Sequence, residues 1–446
     1  MEKLPVGASP EAERLLDLWG RDKFSFDESA FTGIVDHLRS RGYPVPVETL
    51  TRPGTDPRPP EASQEDRFRA RIIARENARN SAPIDWDNPE VAAALAEEVR
   101  AARSMLSFPP SVDGVRAGHV SSANAEFERL VALVGATSRS TPIAVLDNGF
   151  AVELPGLKDK VWKNAGEVSG NGVDDDANGF VDDFNGWNTV TGTDEIWPGH
   201  HGTPVAAIAG RGTARTPIMP LVVVPGDAST VVPAIEYAAS NGARVINMSF
   251  AVTDPEGVAA VKAAVSKFPD VLFVVAAGNS PDQLGSEWNL PEQYLASNLL
   301  TNLAVVAGGT QGGRPWDGST WGAPFATHAA QAVDVVTLGM DGAFVPKTGT
   351  SFAAPAVASV AAKCLTLDPS LTPTKLKQLL EETSDRHEAW NGLVESAGVV
   401  NERRAIQLAA LRVLVGSGKA AETAAAEIGL SGEETSQLLE SLRRMG

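Results

Sequence analysis

From residue 141 onward the chain alternates short apolar runs with amphipathic stretches, and nothing else in the sequence limits the fold as tightly. The runs at 143–146, 218–224, 244–248, 271–277 and 304–307 have the length of buried strands, and the stretches 203–210, 231–240, 256–267 and 354–365 read as helices. Strands separated by helices form βαβ units, which build a mostly parallel sheet covered on both faces. In such sheets reactive side chains collect beyond the carboxyl ends of the strands. Two more helices are expected within 372–411, and an Ala/Glu-rich helical tail occupies 412–446. No repeat of fixed period is visible.

The first 140 residues read differently. Ser9 followed by Pro10 is a good helix opening, because proline is tolerated at the first helical position. Residues 31–41 and 65–107 also carry helical spacing, whereas 51–62 holds four prolines and a glycine and has linker composition. The expected organisation is a mainly helical region 1–140, an α/β domain 141–411 and a helical tail 412–446.

Composition narrows the function classes. The 446 residues are 43% apolar and 21% charged, as in ordinary soluble domains. Thirty-eight Lys and Arg against 56 Asp and Glu give a net charge of −18, so partners that need clustered positive charge, nucleic acid and anionic lipid, are not expected. Cys364 is the single cysteine, which rules out an intramolecular disulfide, a Cys₄ zinc site and CxxC redox chemistry. The first residues lack a basic segment followed by an apolar one, and no run approaches the ~18 apolar residues that span a bilayer. The expected location is therefore cytoplasmic; the low cysteine count is equally compatible with export without a signal.

Three segments place a reactive side chain among small residues at an element boundary. In Ile143-Ala-Val-Leu-Asp147-Asn-Gly149 a buried strand ends in a carboxylate. In His201-Gly-Thr-Pro204-Val-Ala a histidine opens a small-residue helix, with proline only in its first turn. In Gly349-Thr-Ser351-Phe-Ala-Ala-Pro355 a serine opens another. A serine hydroxyl needs a base to become a nucleophile, and the base needs a carboxylate to set its tautomer. Asp147, His201 and Ser351 supply these groups in the order Asp, His, Ser, which is the subtilisin order. A fourth segment, Val274-Val-Ala-Ala-Gly278-Asn279, ends a strand in an amide able to stabilise an oxyanion. Taken singly, each has an ordinary reading as a turn residue, a solvated histidine or a helix cap. The remaining histidines, His37, His119, His200, His328 and His387, have no such context and are read as structural.

Together the four motifs resemble those of the subtilases, the subtilisin-like serine endopeptidases, over about 140–411. The resemblance implies a three-layer sandwich around a seven-stranded parallel sheet and hydrolysis of protein or peptide substrates. Ser351 is then the nucleophile, His201 the general base, Asp147 the orienting carboxylate and Asn279 the oxyanion donor. Ser249, Phe250 and Ala251 resemble one wall of the substrate cleft, and Ala276, Ala277 and Gly278 the other. Two departures stand out: Pro204 replaces a second histidine of the family pattern, and Ser249-Phe250-Ala251 replaces Ser-Leu-Gly. The competing functions are a catalytically silent interaction protein on the same fold, and an esterase or peptide ligase using the same nucleophile.

Between Asp147 and His201 runs an acidic loop. Asp174-x-Asp176-x-Asn178-Gly179 follows the start of an EF-hand loop, with the Phe180 carbonyl and Asp182 at the seventh and ninth positions and Asn185 where a glutamate usually closes the site. The expectation is a structural Ca2+ held by Asp174, Asp176, Asn178, Phe180 and Asp182, set against an acidic turn held by its own Asx hydrogen bonds. Subtilases often carry an N-terminal inhibitory segment of a different, β-containing type. Residues 1–140 are accordingly read in three ways: cleft inhibitor, binding site for a regulatory partner, or structural extension. The turn-rich segment 107–122 is the expected place for self-cleavage.

Overall fold

The structure, a computed structural model, describes residues 116–286 and 294–445, with side chains from 124 onward. The helices and linker expected before residue 116 lie outside the described residues. Residues 113–446 form one unit, which extends past both boundaries expected from sequence, 140 and 411.

Among the described residues, nine strands make the main sheet: β1 (Ile143–Asp147), β2 (Trp187–Asn188), β3 (Ile218–Val222), β4 (Val245–Met248), β5 (Leu272–Ala276), β6 (Leu303–Gly309), β7 (His328–Gln331), β10 (Asp385–Arg386) and β11 (Gly398–Val399). Their order is β10-β11-β7-β6-β5-β4-β1-β3-β2, parallel throughout except for the β10–β11 pair. The excess over the seven expected strands comes from two-residue edge strands, too short to leave an apolar run in the sequence. A separate antiparallel pair is formed by β8 (Val335–Leu338) and β9 (Phe344–Lys347).

Side-chain alternation explains the layering. In β1, Ile143 and Val145 face one apolar cluster, while Ala144 and Leu146 face the other. The first cluster is covered by α1 (Arg116–Leu133), α2 (Gly202–Ala209), α5 (Thr350–Leu367) and α7 (Glu402–Gly416). The second is covered by α3 (Ala228–Ser240) and α4 (Pro255–Lys267). The result is the expected α/β three-layer sandwich. Helix α1 reaches back across part of the segment expected to be turn-rich, and its Phe127, Leu130 and Val131 are buried in the first cluster. The C-terminal helices α6 (Pro373–Glu382), α8 (Ala421–Glu427) and α9 (Gly432–Met445) complete the same cluster through Leu379, Ala424, Ile428, Leu438 and Met445. Among the described residues one helix, α5, is long and apolar enough to cross a membrane; 94% of it is buried in the domain, as expected of a core helix.

Strand order also locates a crevice. The chain lays β3 on one side of β1 and then returns to lay β4 on the other. The α3 connection crosses the face opposite α2, so the loops beyond β1 diverge. A parallel sheet opens for ligands at such a reversal, and the residue at the carboxyl end of β1 is Asp147.

Candidate active site

Asp147 is fully buried, and both its carboxylate oxygens lie against His201 Nδ1, at 3.0 and 2.9 Å. A buried carboxylate only accepts, so Nδ1 carries the proton and the Nε2 lone pair of the neutral ring is the basic one. The backbone N–H of Asn148 donates to Asp147 Oδ1 at 2.8 Å, and Asn148 Oδ1 accepts from Gly202 N at 3.2 Å. These bonds tie the end of β1 to the first turn of α2, where His201 is the capping residue. Gly202 permits that approach: a Cβ there would come 2.2 Å from Gly149 O and 2.9 Å from Asp147 Cβ.

Ser351 sits in the first turn of α5, and its neighbour Phe352 packs its ring 5.6 Å from the His201 ring. Pro355 explains what holds this turn. It has no N–H to give to the Ser351 carbonyl four residues earlier, and Ser249 Oγ donates to that oxygen instead, at 2.9 Å. Ser351 Oγ in turn donates to Ser249 O at 3.0 Å, and Asn247 Nδ2 donates to Ser249 Oγ at 3.0 Å. The end of β4 and the start of α5 are thus joined by two reciprocal bonds.

Asn279 follows β5 and is exposed. Its Oδ1 accepts from Thr350 N at 2.8 Å and from Thr350 Oγ1 at 2.9 Å. A backbone N–H can only donate, so this contact identifies the oxygen and leaves the Nδ2 hydrogens turned to the other side of the amide. Gly278 N donates to Thr350 Oγ1 at 3.2 Å, which draws the end of β5 onto the same helix turn.

The six residues expected to line the cleft lie at the carboxyl ends of the adjacent strands β4 and β5. Ser249, Phe250, Ala276 and Ala277 are buried there, while Ala251 and Gly278 are half-buried. Phe250 belongs to the apolar cluster beneath the α3 and α4 layer. His200, next to His201, is exposed. A cavity lined by Arg244, Lys267 and Phe268 lies at the amino ends of β4 and β5, the far end of the sheet from Ser351.

The acidic loop is grouped differently from the EF-hand reading. Asp174 accepts from Asn178 N and Gly179 N, and Asp182 from Asn171 N and Gly172 N, all within 2.8–3.0 Å. Those carboxylates serve the turns of the loop. Asn178 Oδ1 accepts from Phe180 N, and the Phe180 ring packs edge-on against Trp187 and Tyr237. Asp176 instead meets Glu167 and Asp183, with one oxygen from each within 4.8 Å of the others. Glu167 Oε1 is held by Asp175 N and Asp176 N, whereas Glu167 Oε2 is buried with no hydrogen-bond partner. A buried carboxylate oxygen without a partner, on a residue grouped with two other carboxylates, has the donor chemistry of a cation site. Asn164 and Asn178 turn their Nδ2 groups onto Asp176 and Asp183. Their Oδ1 atoms are committed to backbone N–H groups, so these side chains brace the carboxylates of Asp176 and Asp183. Tyr237 Oη donates to Asp183 Oδ2 at 2.6 Å, and burial together with that bond pushes its phenol above the ordinary value. The sequence reading missed Glu167 and Asp183. Asp183 was detectable as the neighbour of Asp182; Glu167, seven residues before Asp174, carried no spacing signal.

The sequence profile of the subtilase family matches residues 138–405. The chain belongs to the subtilase family. Subtilisin-like protease 1 of Plasmodium berghei (strain Anka) is 26% identical over 296 residues, covering 58% of this chain and 49% of that protein. Subtilisin DY of Bacillus licheniformis is 27% identical over 278 residues, covering 61% of this chain and 93% of that protein. The chain thus matches about half the length of the Plasmodium relative. Among solved structures, a lanthipeptide protease superposes with a TM-score of 0.51 at 20% identity, covering 68% of this chain and all of that one, which bears on the fold. Subtilases as a family are serine proteases.

Proposed function

We propose that the chain is a serine endopeptidase in which Ser351 is the nucleophile, His201 the base, Asp147 its orienting carboxylate and Asn279 the oxyanion donor. The observation that carries this reading is the buried Asp147–His201 pair, which leaves Nε2 as the basic nitrogen beside the turn that holds Ser351. To react, the Ser351 hydroxyl turns from the Ser249 carbonyl toward His201 Nε2. As Oγ bonds to the scissile carbonyl carbon, its proton passes to Nε2, and Asp147 stabilises the imidazolium that forms. The carbonyl oxygen becomes an oxyanion, which the free Asn279 Nδ2 side is oriented to meet. Collapse expels the amine, protonated by His201, and leaves an acyl group on Ser351. Water, deprotonated by the same nitrogen, then releases the acid.

A structural calcium belongs to the same reading. Calcium takes carboxylate oxygens, and Glu167, Asp176 and Asp183 are the residues that would hold it. The ion would neutralise the buried Glu167 charge and fix the loop between Asp147 and His201.

A fluorophosphonate probe tests the reading. The parent chain should be labelled and should cleave peptide substrates. Ser351→Ala should lose both, by about 10⁶ in kcat on the scale known for losing the serine in subtilisin. Peptidase activity retained by Ser351→Ala would refute the assignment.

A further inference from the structure

Trp197 lies four residues before His201, and it touches each residue of the turn that follows Asp147. Its indole Nε1 donates to Asn148 O at 2.8 Å. Its ring lies against Gly149, where a Cβ would come 2.6 Å from Trp197 Cδ1. Its carbonyl accepts from Phe150 N at 2.6 Å. Gly149 has φ +143, so this close contact occurs at a position that already favours glycine. Asn148 is the residue whose N–H bonds Asp147 Oδ1 and whose side chain bonds Gly202 N. The Trp197 side chain therefore holds Asn148 and Gly149, its backbone carbonyl holds Phe150, and the same turn anchors the helix start that carries His201. The Trp197 side chain is half-buried.

We propose that Trp197 is a positioning residue that acts through Asn148 and Gly149 to hold the Asp147 carboxylate in place against His201 Nδ1. The proposal rests on the peptidase reading above. A carboxylate held at 2.9 Å stabilises the imidazolium formed during catalysis. If it is loosened, the proton reaching Nε2 is less stabilised. Binding of the peptide is unaffected, because Trp197 bears on Asn148, Gly149 and Phe150 and not on the cleft walls at the ends of β4 and β5. The charged group bonded to His201 is Asp147. The backbone N–H of Asn148 is a neutral donor to the Asp147 carboxylate.

Trp197→Phe keeps an aromatic side chain beside the turn and removes the indole N–H together with part of the ring. In the full chain its kcat should fall about fivefold, the scale of one lost hydrogen bond, with KM within about twofold of the parent. The acid limb of kcat against pH should move to lower pH, because a less closely held carboxylate stabilises the imidazolium less. Trp197→Ala should show both effects more strongly. An activity-free measurement separates this idea from the peptidase reading: in the inactive Ser351→Ala chain, the low-field proton on His201 Nδ1 should move upfield or broaden when Trp197→Phe is added. An unchanged proton resonance in folded Trp197→Phe would overturn the proposal whether or not the chain cleaves peptides. So would a raised KM at unchanged kcat, which would make Trp197 a substrate contact.

Discussion

Acid should destabilise this fold through His328. His328 opens β7, is 2% exposed, and is neutral where it sits: Nε2–H donates to Lys377 O at 3.2 Å, and Nδ1 lies 2.8 Å from Thr327 Oγ1. Burial lowers its pKa from the ordinary 6.5 to about 4, the Lys377 charge adds in the same direction, and the Lys377 carbonyl opposes both. In the unfolded chain the imidazole takes a proton near pH 6.5, whereas in the folded chain it waits until about pH 4. Above pH 6.5 the stability is complete, and as pH falls through this window the unfolded state gains a proton that the folded state refuses. At ~1.36 kcal/mol per pH unit, the gap between the two pKa values corresponds to a loss of about 3 kcal/mol. Urea unfolding of the Ser351→Ala chain and of the same chain carrying His328→Gln would measure it at pH 8 and pH 4.5. Carboxylates contribute equally to both proteins and cancel in the comparison. The parent should lose about 2–3 kcal/mol more than the variant between those pH values. A stability difference between the two proteins that stays constant across pH would refute the reasoning.

Asn279→Ala should lower kcat by about 10²–10³, the range known for the oxyanion asparagine of subtilisin, while fluorophosphonate labelling persists because the nucleophile remains; peptidase kinetics equal to the parent's would remove Asn279 from the site. If calcium is held by Glu167, Asp176 and Asp183, it stabilises the folded state by mass action. EGTA should then lower the Tm of the parent and leave that of Glu167→Gln unmoved. A parent indifferent to EGTA, with no calcium by elemental analysis, would return the loop to an acidic turn.

Much of the site could be read from the chain because its parts are local. A strand that ends in Asp147, a small-residue helix opened by His201, and another opened by Ser351 each combine an apolar run with a glycine within a few residues. The βαβ alternation already placed those ends on one edge of a parallel sheet. The acidic loop was less legible. Alternating carboxylates look the same whether they serve an ion or the backbone N–H groups of a tight turn. Asp174 and Asp182 went to the turns, and only Asp176 of the expected carboxylates meets Glu167 and Asp183.

The sequence by itself determined the sheet class, the four motifs and their order, because backbone period, apolar run length and helix-opening residues are properties of neighbouring positions. Tertiary structure decided what those motifs touch. Pro355 withholds an N–H from the Ser351 carbonyl, and Ser249, which donates to that oxygen instead, lies 102 positions before Ser351. Trp197 reaches Asn148 across 49 positions, and Tyr237 reaches Asp183 across 54. Hydrogen bonds at such separations depend on which strand lies beside which. That order, with β1 between β3 and β4, is set by the packing of whole helices on two faces of the sheet and leaves no mark in any short stretch of sequence.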